Sequence, residues 1–283
     1  MKRIDLHTHS LYSDGAQTPT ELVHTAHAAG LSAIALTDHD CVAGVAEAVA
    51  AGERLGVEVI PGVELSAQSD TELHILGYFV DIHNQKLQDT MAYALQVRNE
   101  RQAETCRKLN EQGVAITIEE VRAEANGSAV LCRAHFAQIM VRKGYAASVK
   151  DAFAKYLSVG CYAYSNRQAL TGAEAIAVIK QSGGLAVVAH PHLIKMPDAE
   201  LKEYLKSFIP YGLDGLEGYY SDYTPEMQAR YCAMATELGL VISGGTDYHG
   251  KNKPHLAIGT GRGNLQIPYR VLDDLRSRPN REP

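Results

Sequence analysis

Seven short stretches of this chain carry groups that bind metal ions or move protons. They are "DLHTHS" with His7 and His9, "SDG" with Asp14, "TDHD" with Asp38, His39 and Asp40, "GVE" with Glu64, "ELHIL" with His74, "AHP" with His190, and "GTDYHG" with Asp247 and His249. In a β-strand, residues i and i+2 share a face, so the imidazoles of His7 and His9 would project together and could grip one cation. Taken singly, each group has a plainer reading: a surface His-x-His pair, a hydrogen-bonded core histidine at His74 or His190, a turn residue at Asp247. Together they are harder to set aside. Most of them follow a strand-like run, and a barrel gathers its reactive side chains at the carboxyl ends of its strands. Four or five strands delivering imidazole or carboxylate to one rim is what a polynuclear metal site requires.

The elements that must position these groups alternate along the chain. "RIDL" reads as a short strand. "TPTELVHTAHAAG" reads as a helix with Thr18 as N-cap, Pro19 at the first helical position, Glu21 closing a capping box and Gly30 past the end. "SAIALT", "EVIPGVEL", "ELHILGYFV", "GGLAVVAHP", "LDGLEGYY" and "GLVISGGTD" read as further strands, separated by helical stretches that include "VAGVAEAVAAGERLG", 199–208 and 225–238. Repeated βα units of this kind predict an α/β fold with a mostly parallel sheet, closed or nearly closed into a barrel. A length of 283 residues suits one barrel with an insertion, and 46% apolar with 21% charged residues is ordinary for a soluble globular protein.

Composition also excludes several classes. The five cysteines are an odd number without a Cys-x-x-Cys pair, which argues against a disulfide framework and a thiolate zinc site. No apolar run approaches membrane length and no signal-peptide core follows Lys2 and Arg3, so a cytoplasmic location without a membrane partner is expected. A pI near 6.1 and the lack of a strong Lys/Arg run speak against a binder of long duplex nucleic acid.

Between residues 98 and 167 the strand signal fades and helical patterns take over, beginning with a long helix over about 87–112. The chain is therefore expected to divide into a discontinuous barrel, 1–97 and 168–283, and a helical insertion, 98–167. The insertion carries eleven Lys or Arg against seven Asp or Glu, a charge of +4, which leaves −10 on the rest of a −6 protein. A basic lid over an acidic, metal-holding barrel would suit a phosphorylated substrate. A helical pair with solvated charged faces is the alternative.

The ordered set "DLHTHS", "SDG", "TDHD", "GVE", "AHP" and "GTDYHG" resembles the PHP (polymerase and histidinol phosphatase) superfamily over nearly the whole barrel. The resemblance implies a distorted (β/α)7-type barrel with a helical cap and up to three metal ions. His7, His9, Glu64 and Asp247 would surround one ion; a bridging Glu64 with His74 and His190 the second; Asp14, His39 and His249 the third. Imidazole and carboxylate ligands suit Mn²⁺, Fe²⁺ or Zn²⁺, and the resemblance favours Mn²⁺. Such ions hold phosphate oxygens, lower the pKa of a shared water and stabilise the leaving oxygen, which describes a phosphoesterase. Asp38 and Asp40 are candidates for supporting the ligands or handling protons, or are ordinary loop carboxylates.

Within that superfamily, "RAHFAQ…KGY…DAFAKYL…G" looks like the subgroup that removes the 3′-phosphate from 3′,5′-nucleotide bisphosphates and, in bacteria, trims short RNA from the 5′ end. Arg133 and His135 then become candidate contacts for substrate phosphate, and Phe136 or a tyrosine could face a base. Where the subgroup leads one to expect "AHPGRY", this chain has "AHPHLIK", which leaves His192 or Lys195 to replace the arginine. A histidinol-phosphatase-like phosphomonoesterase is the nearer alternative, although the basic insertion points to a more anionic substrate. An amidohydrolase-type C–N hydrolase and a non-catalytic binding module rank below it, the latter because none of the nine expected ligands is missing.

Overall fold

The computed structural model describes residues 2–125, 127–128, 130–165 and 169–278. Its strands are β1 (Arg3–Thr8), β2 (Ala33–Leu36), β3 (Glu58–Ala67), β4 (Leu73–Tyr78), β5 (Leu185–Val188), β6 (Leu213–Tyr220), β7 (Val241–Gly245) and the two-residue β8 (Ile267–Pro268). They form one sheet in the order β7-β6-β5-β4-β3-β2-β1-β8. The helices are α1 (Pro19–Ala28), α2 (Val45–Leu55), α3 (Gln85–Glu111), α4 (Ile118–Glu124), α5 (Arg133–Arg142), α6 (Val149–Ala152), α7 (Gly172–Gln181), α8 (Asp198–Phe208), α9 (Pro225–Glu237) and α10 (Arg270–Ser277). Among the described residues no helix is long and apolar enough to cross a membrane. Local chemistry sets several boundaries: the Thr18 side chain accepts from Glu21 N–H while the Glu21 carboxylate accepts from Thr18 N–H, and Gly56, in the left-handed region at φ 71°, ends α2.

The sheet bends back on itself. Thr8 bridges to Tyr248 just beyond β7, and His9 N–H donates to the Tyr248 carbonyl at 2.9 Å, so β1 to β7 make a nearly closed α/β barrel. The seam depends on Gly245, where an added Cβ would stand 2.2 Å from His7 Cβ and 2.4 Å from His7 N. Gly245→Ala should therefore destabilise the fold by about 1–3 kcal/mol through overpacking and displace His7, lowering metal affinity as well. Calorimetric melting and metal titration test this; a wild-type result in both would mean that the seam yields freely.

The expectation of a mostly parallel sheet holds for β1–β2, β2–β3, β5–β6 and β6–β7, whereas β3–β4, β4–β5 and β1–β8 are antiparallel. The physical reason is chain length: residues 68–72 are too few for the crossover that a parallel neighbour needs. β4 consequently starts at the rim where the other large strands end, which brings His74 to that rim from the beginning of its strand. A register shift between Asp5 and Thr8 acts similarly on β1. Leu6 joins the inner apolar cluster with Leu76, Tyr78 and Val187, and the next residue, His7, still faces the rim side of the same interior.

Residues of α10, Val271, Leu272 and Leu275, complete that inner cluster, while Leu22, Ile34, Leu36, Ile176 and Ile179 belong to the larger cluster between sheet and helices. Between β4 and β5 lies a helical segment with its own apolar core, including Leu109, Val121, Phe136, Ile139 and Leu157. The expected boundary after residue 97 falls inside α3, which contributes Leu87 and Met91 to the barrel cluster and Cys106 and Leu109 to the helical one. The boundary at 167/168 lies outside the described residues.

Candidate metal centre and active site

Glu64, 1% exposed near the end of β3, is the meeting point of five imidazoles. Its Oε1 lies 2.8 Å from His74 Nδ1 and 3.0 Å from His190 Nε2; its Oε2 lies 3.3 Å from Nε2 of both His7 and His9 and 3.0 Å from His39 Nδ1. Cross-strand register explains the first contact: Glu64 pairs with Leu76, and His74, two residues earlier, shares Leu76's face. Asp247 Oδ1 stands 3.2 Å from His9 Nε2 and 3.6 Å from His7 Nε2, and Asp14 Oδ1 stands 3.1 Å from His249 Nε2.

All nine residues expected as ligands thus come together at one rim. They form four overlapping groups: His7 with His9 and Asp247; His7 with Glu64 and His190; His39 with Glu64 and His74; and His9 with Asp14, His39 and His249. The partition differs from the three expected sets: His9 also joins the Asp14 group, and the expected set of Glu64, His74 and His190 is split, His190 grouping with His7 and Glu64 and His74 with His39 and Glu64.

The donor atoms suit a cation. His7 Nε2, His9 Nε2, His39 Nδ1, Asp14 Oδ1 and Glu64 Oε2 are buried without a hydrogen bond, an expensive arrangement unless a positive ion completes it. Burial holds His9 and His39 down at about 4, which keeps both imidazoles neutral, the form that ligates. Burial opposes ionisation of Glu64, Asp14 and Asp247, yet the surrounding histidines, with Lys253 beside Asp247, hold all three carboxyls well below the usual range. The backbone is strained at the same rim, with positive φ at Asp40 (46°), His190 (27°) and Asp247 (56°).

Two supporting carboxylates escape a reading of the sequence alone. Glu217 on β6 lies 3.0 Å from His7 Nδ1 and accepts the His190 N–H at 2.6 Å; since a carboxylate only accepts, His7 Nδ1 carries a proton and Nε2 is the atom turned to the rim. Burial opposes a charge on this ring, but the carboxylates of Glu64, Glu217 and Asp247 raise its pKa well above the ordinary value. Asp5 accepts from Thr246 N–H at 2.9 Å, Thr246 Oγ1 at 2.5 Å and Gly259 N–H at 2.8 Å, fixing the turn that presents Asp247. The available signal was an acidic residue inside each of the apolar runs "RIDL" and "LDGLEGYY".

Other expected residues sit differently. Asp38 spends both oxygens on the first loop, accepting from Ser10 N–H at 2.8 Å, Ser10 Oγ at 2.6 Å and Ser13 Oγ at 2.6 Å. Asp40 is held by Arg98 and by Ser66 N–H at 2.9 Å. Neither lines the cavity over the histidines; their hydrogen bonds position the first loop and α3. His135 is buried, with Nδ1 accepting the Cys132 N–H at the start of α5, and Phe136 is fully buried in the helical core; neither faces the cavity. The His192 ring packs against His190, Tyr220 and Tyr223, and Lys195 lines a groove with Thr71 and Glu72; neither is among the residues that line the cavity over the histidines. Lys253, unanticipated, reaches Asp247 Oδ2 at 2.6 Å. Arg133 does reach the cavity, but Glu72 Oε1 at 2.5 Å and the Leu157 carbonyl at 3.2 Å already hold its guanidinium.

That cavity, of about 250 Å³, lies between the barrel rim and the helical segment. Asp14, His39, Glu64, His74, His190 and Asp247 form one wall, and Arg98, Arg101, Arg133, Gln138 and Phe153 form the other. The PHP domain family matches residues 5–213.

The chain belongs to the PHP domain family.

The PHP chain is 34% identical over 249 residues to a 5′-3′ exoribonuclease of Haemophilus influenzae, covering 88% of this chain and 90% of that one. It is 32% identical over 250 residues to a 3′,5′-nucleoside bisphosphate phosphatase of Chromobacterium violaceum, covering 88% of each. A solved structure from C. violaceum, described as an amidohydrolase with bound sulfate and no metal, superposes with a TM-score of 0.87 at 29% identity, covering 96% of both chains. This PHP protein is a metal-dependent phosphoesterase, a hydrolase acting on phosphate esters. Divalent cations, when bound, supply Lewis acidity toward phosphoryl oxygens and acidify water. The chain's own part is to present imidazoles and ionised carboxylates at one rim, to fix the His7 ring through Glu217, and to set a cationic wall opposite that rim.

Proposed function

We propose that this enzyme removes the 3′-phosphate from 3′,5′-nucleotide bisphosphates, leaving the 5′-nucleotide and phosphate, and trims short RNA from the 5′ end by the same chemistry. In this reading His7, His9, Asp14, His39, Glu64, His74, His190, Asp247 and His249 hold up to three Mn²⁺ ions, and the segment 98–167 acts as a cap over them. The protein works in the cytoplasm. The observation that carries the reading is the two-sided cavity: orphaned imidazole and carboxylate atoms face guanidinium groups across a space fit for a small molecule. A substrate with one phosphate at the metal wall and a second at the arginine wall satisfies both, whereas a neutral amide would bring no counter-charge to Arg101, since Arg98 and Arg133 are already paired with Asp40 and Glu72. The relatives named for bisphosphate and RNA chemistry, and the sulfate held by the similar Chromobacterium structure, agree with it.

Protein loaded with Mn²⁺ should release phosphate from adenosine 3′,5′-bisphosphate and leave 5′-AMP, and a chelator should abolish the reaction. Phosphate release from simple monoesters but not from the bisphosphate would reject this substrate while keeping the phosphoesterase.

A further inference from the structure

Three arginines line the cap side of the cavity, and they are not equivalent. Arg98 is bound to Asp40 and to Ser66 Oγ at 2.9 Å. Arg133 is bound to Glu72 and Leu157, with its guanidinium 5.7 Å from the Phe153 ring centre and 5.3 Å from that of Tyr164. Arg101, one turn beyond Arg98 on the buried face of α3, is 7% exposed, yet among the described residues it makes no hydrogen bond and no ion pair. Burial, with Arg98 and Arg133 beside it, pushes its pKa down to about 9, so it remains a cation at neutral pH. A desolvated cation beside two like charges, which the more weakly acting Asp40 carboxylate only partly offsets, is unfavourable in the empty protein and becomes favourable when an anion enters. Its planar fork matches the oxygens of a phosphate.

Resting on the bisphosphate reading above, we propose that Arg101 binds the substrate phosphate that is not cleaved and so sets the preference for doubly phosphorylated substrates. Arg133, the residue that the sequence singles out, is already occupied and serves as a fixed wall beside it. Arg98 anchors the helix.

Arg101→Met separates this role from a structural one. Because Arg101 has no partner to lose among the described residues, the metal-loaded variant should melt at or above the wild-type temperature. Its affinity for 5′-AMP, measured calorimetrically, should fall by about 30- to 1000-fold, the range for a shielded charge-assisted contact. The ratio of kcat/KM on adenosine 3′,5′-bisphosphate to that on p-nitrophenyl phosphate should fall by a similar factor, with Arg101→Lys intermediate. Equal losses on both esters, an unchanged affinity for 5′-AMP, or a drop of several degrees in melting temperature would overturn the assignment of Arg101 while wild-type turnover of the bisphosphate stood. Failure of the wild-type enzyme on the bisphosphate would overturn the functional reading and this inference together.

Discussion

Glu64→Gln should strip metal and turnover from this enzyme together. Five imidazole nitrogens approach the Glu64 carboxylate within 2.8–3.3 Å, two at Oε1 and three at Oε2, so a single side chain faces two sets of candidate ligands. Glutamine keeps the size but replaces one oxygen with an NH₂ group, which cannot face a cation, and removes the charge that would neutralise part of two ions in the bridging role proposed for Glu64. Loss of one partner from a buried charge network costs about 3–5 kcal/mol, and we expect turnover to fall on the order of 10³-fold or more. At least one bound ion per chain should be lost in elemental analysis. A variant with full metal content and near-normal phosphate release would remove Glu64 from the bridging role.

The second large effect is on stability. Arg98→Met should lower it by about 3–5 kcal/mol, or roughly 10 °C in melting temperature, because the Asp40 carboxylate would remain buried with only the Ser66 N–H to satisfy it. Burial works against ionisation of Asp40, but the Arg98 guanidinium outweighs it and holds the carboxyl below its ordinary value of 3.8. With the folded pKa below the unfolded one, the pair's contribution is full above 3.8 and is lost as pH falls through the folded value. The double variant Arg98→Met, Asp40→Asn should recover much of the loss, since asparagine still accepts from Ser66 without a buried charge. A single variant within 1 kcal/mol of wild type by denaturant unfolding would show that this pair does not tie α3 to the barrel.

The two residues illustrate a wider division. Glu64 stands out in the sequence because "GVE" ends a strand-like run, and Arg98 does not, because nothing near it in sequence distinguishes it from Arg101 or Arg107 on the same helix. What is legible locally is what local chemistry decides: the Thr18–Glu21 capping box, the Gly56 helix end, the alternation of βα units, and the ligand-type residues at strand ends. These features act within one turn or one pleat, so they are written in consecutive residues.

Only the tertiary structure decided how those residues meet. Asp38, Asp40 and Arg133 have the right chemistry for a catalytic or binding role, but Ser10 and Ser13, Arg98, and Glu72 take up their polar atoms from distant parts of the chain. Arg101 stands apart by the opposite route, since among the described residues it has no such partner. Glu217 reaches His7 across 210 residues, and Thr246 reaches Asp5 across 241. His74 arrives at the rim because five residues between β3 and β4 force an antiparallel return, and His7 because a register shift keeps it on the inner side after Leu6. The types and local spacing of the groups are properties of the chain, while their pairing, burial and protonation depend on which segments closure of the barrel brings within hydrogen-bond distance.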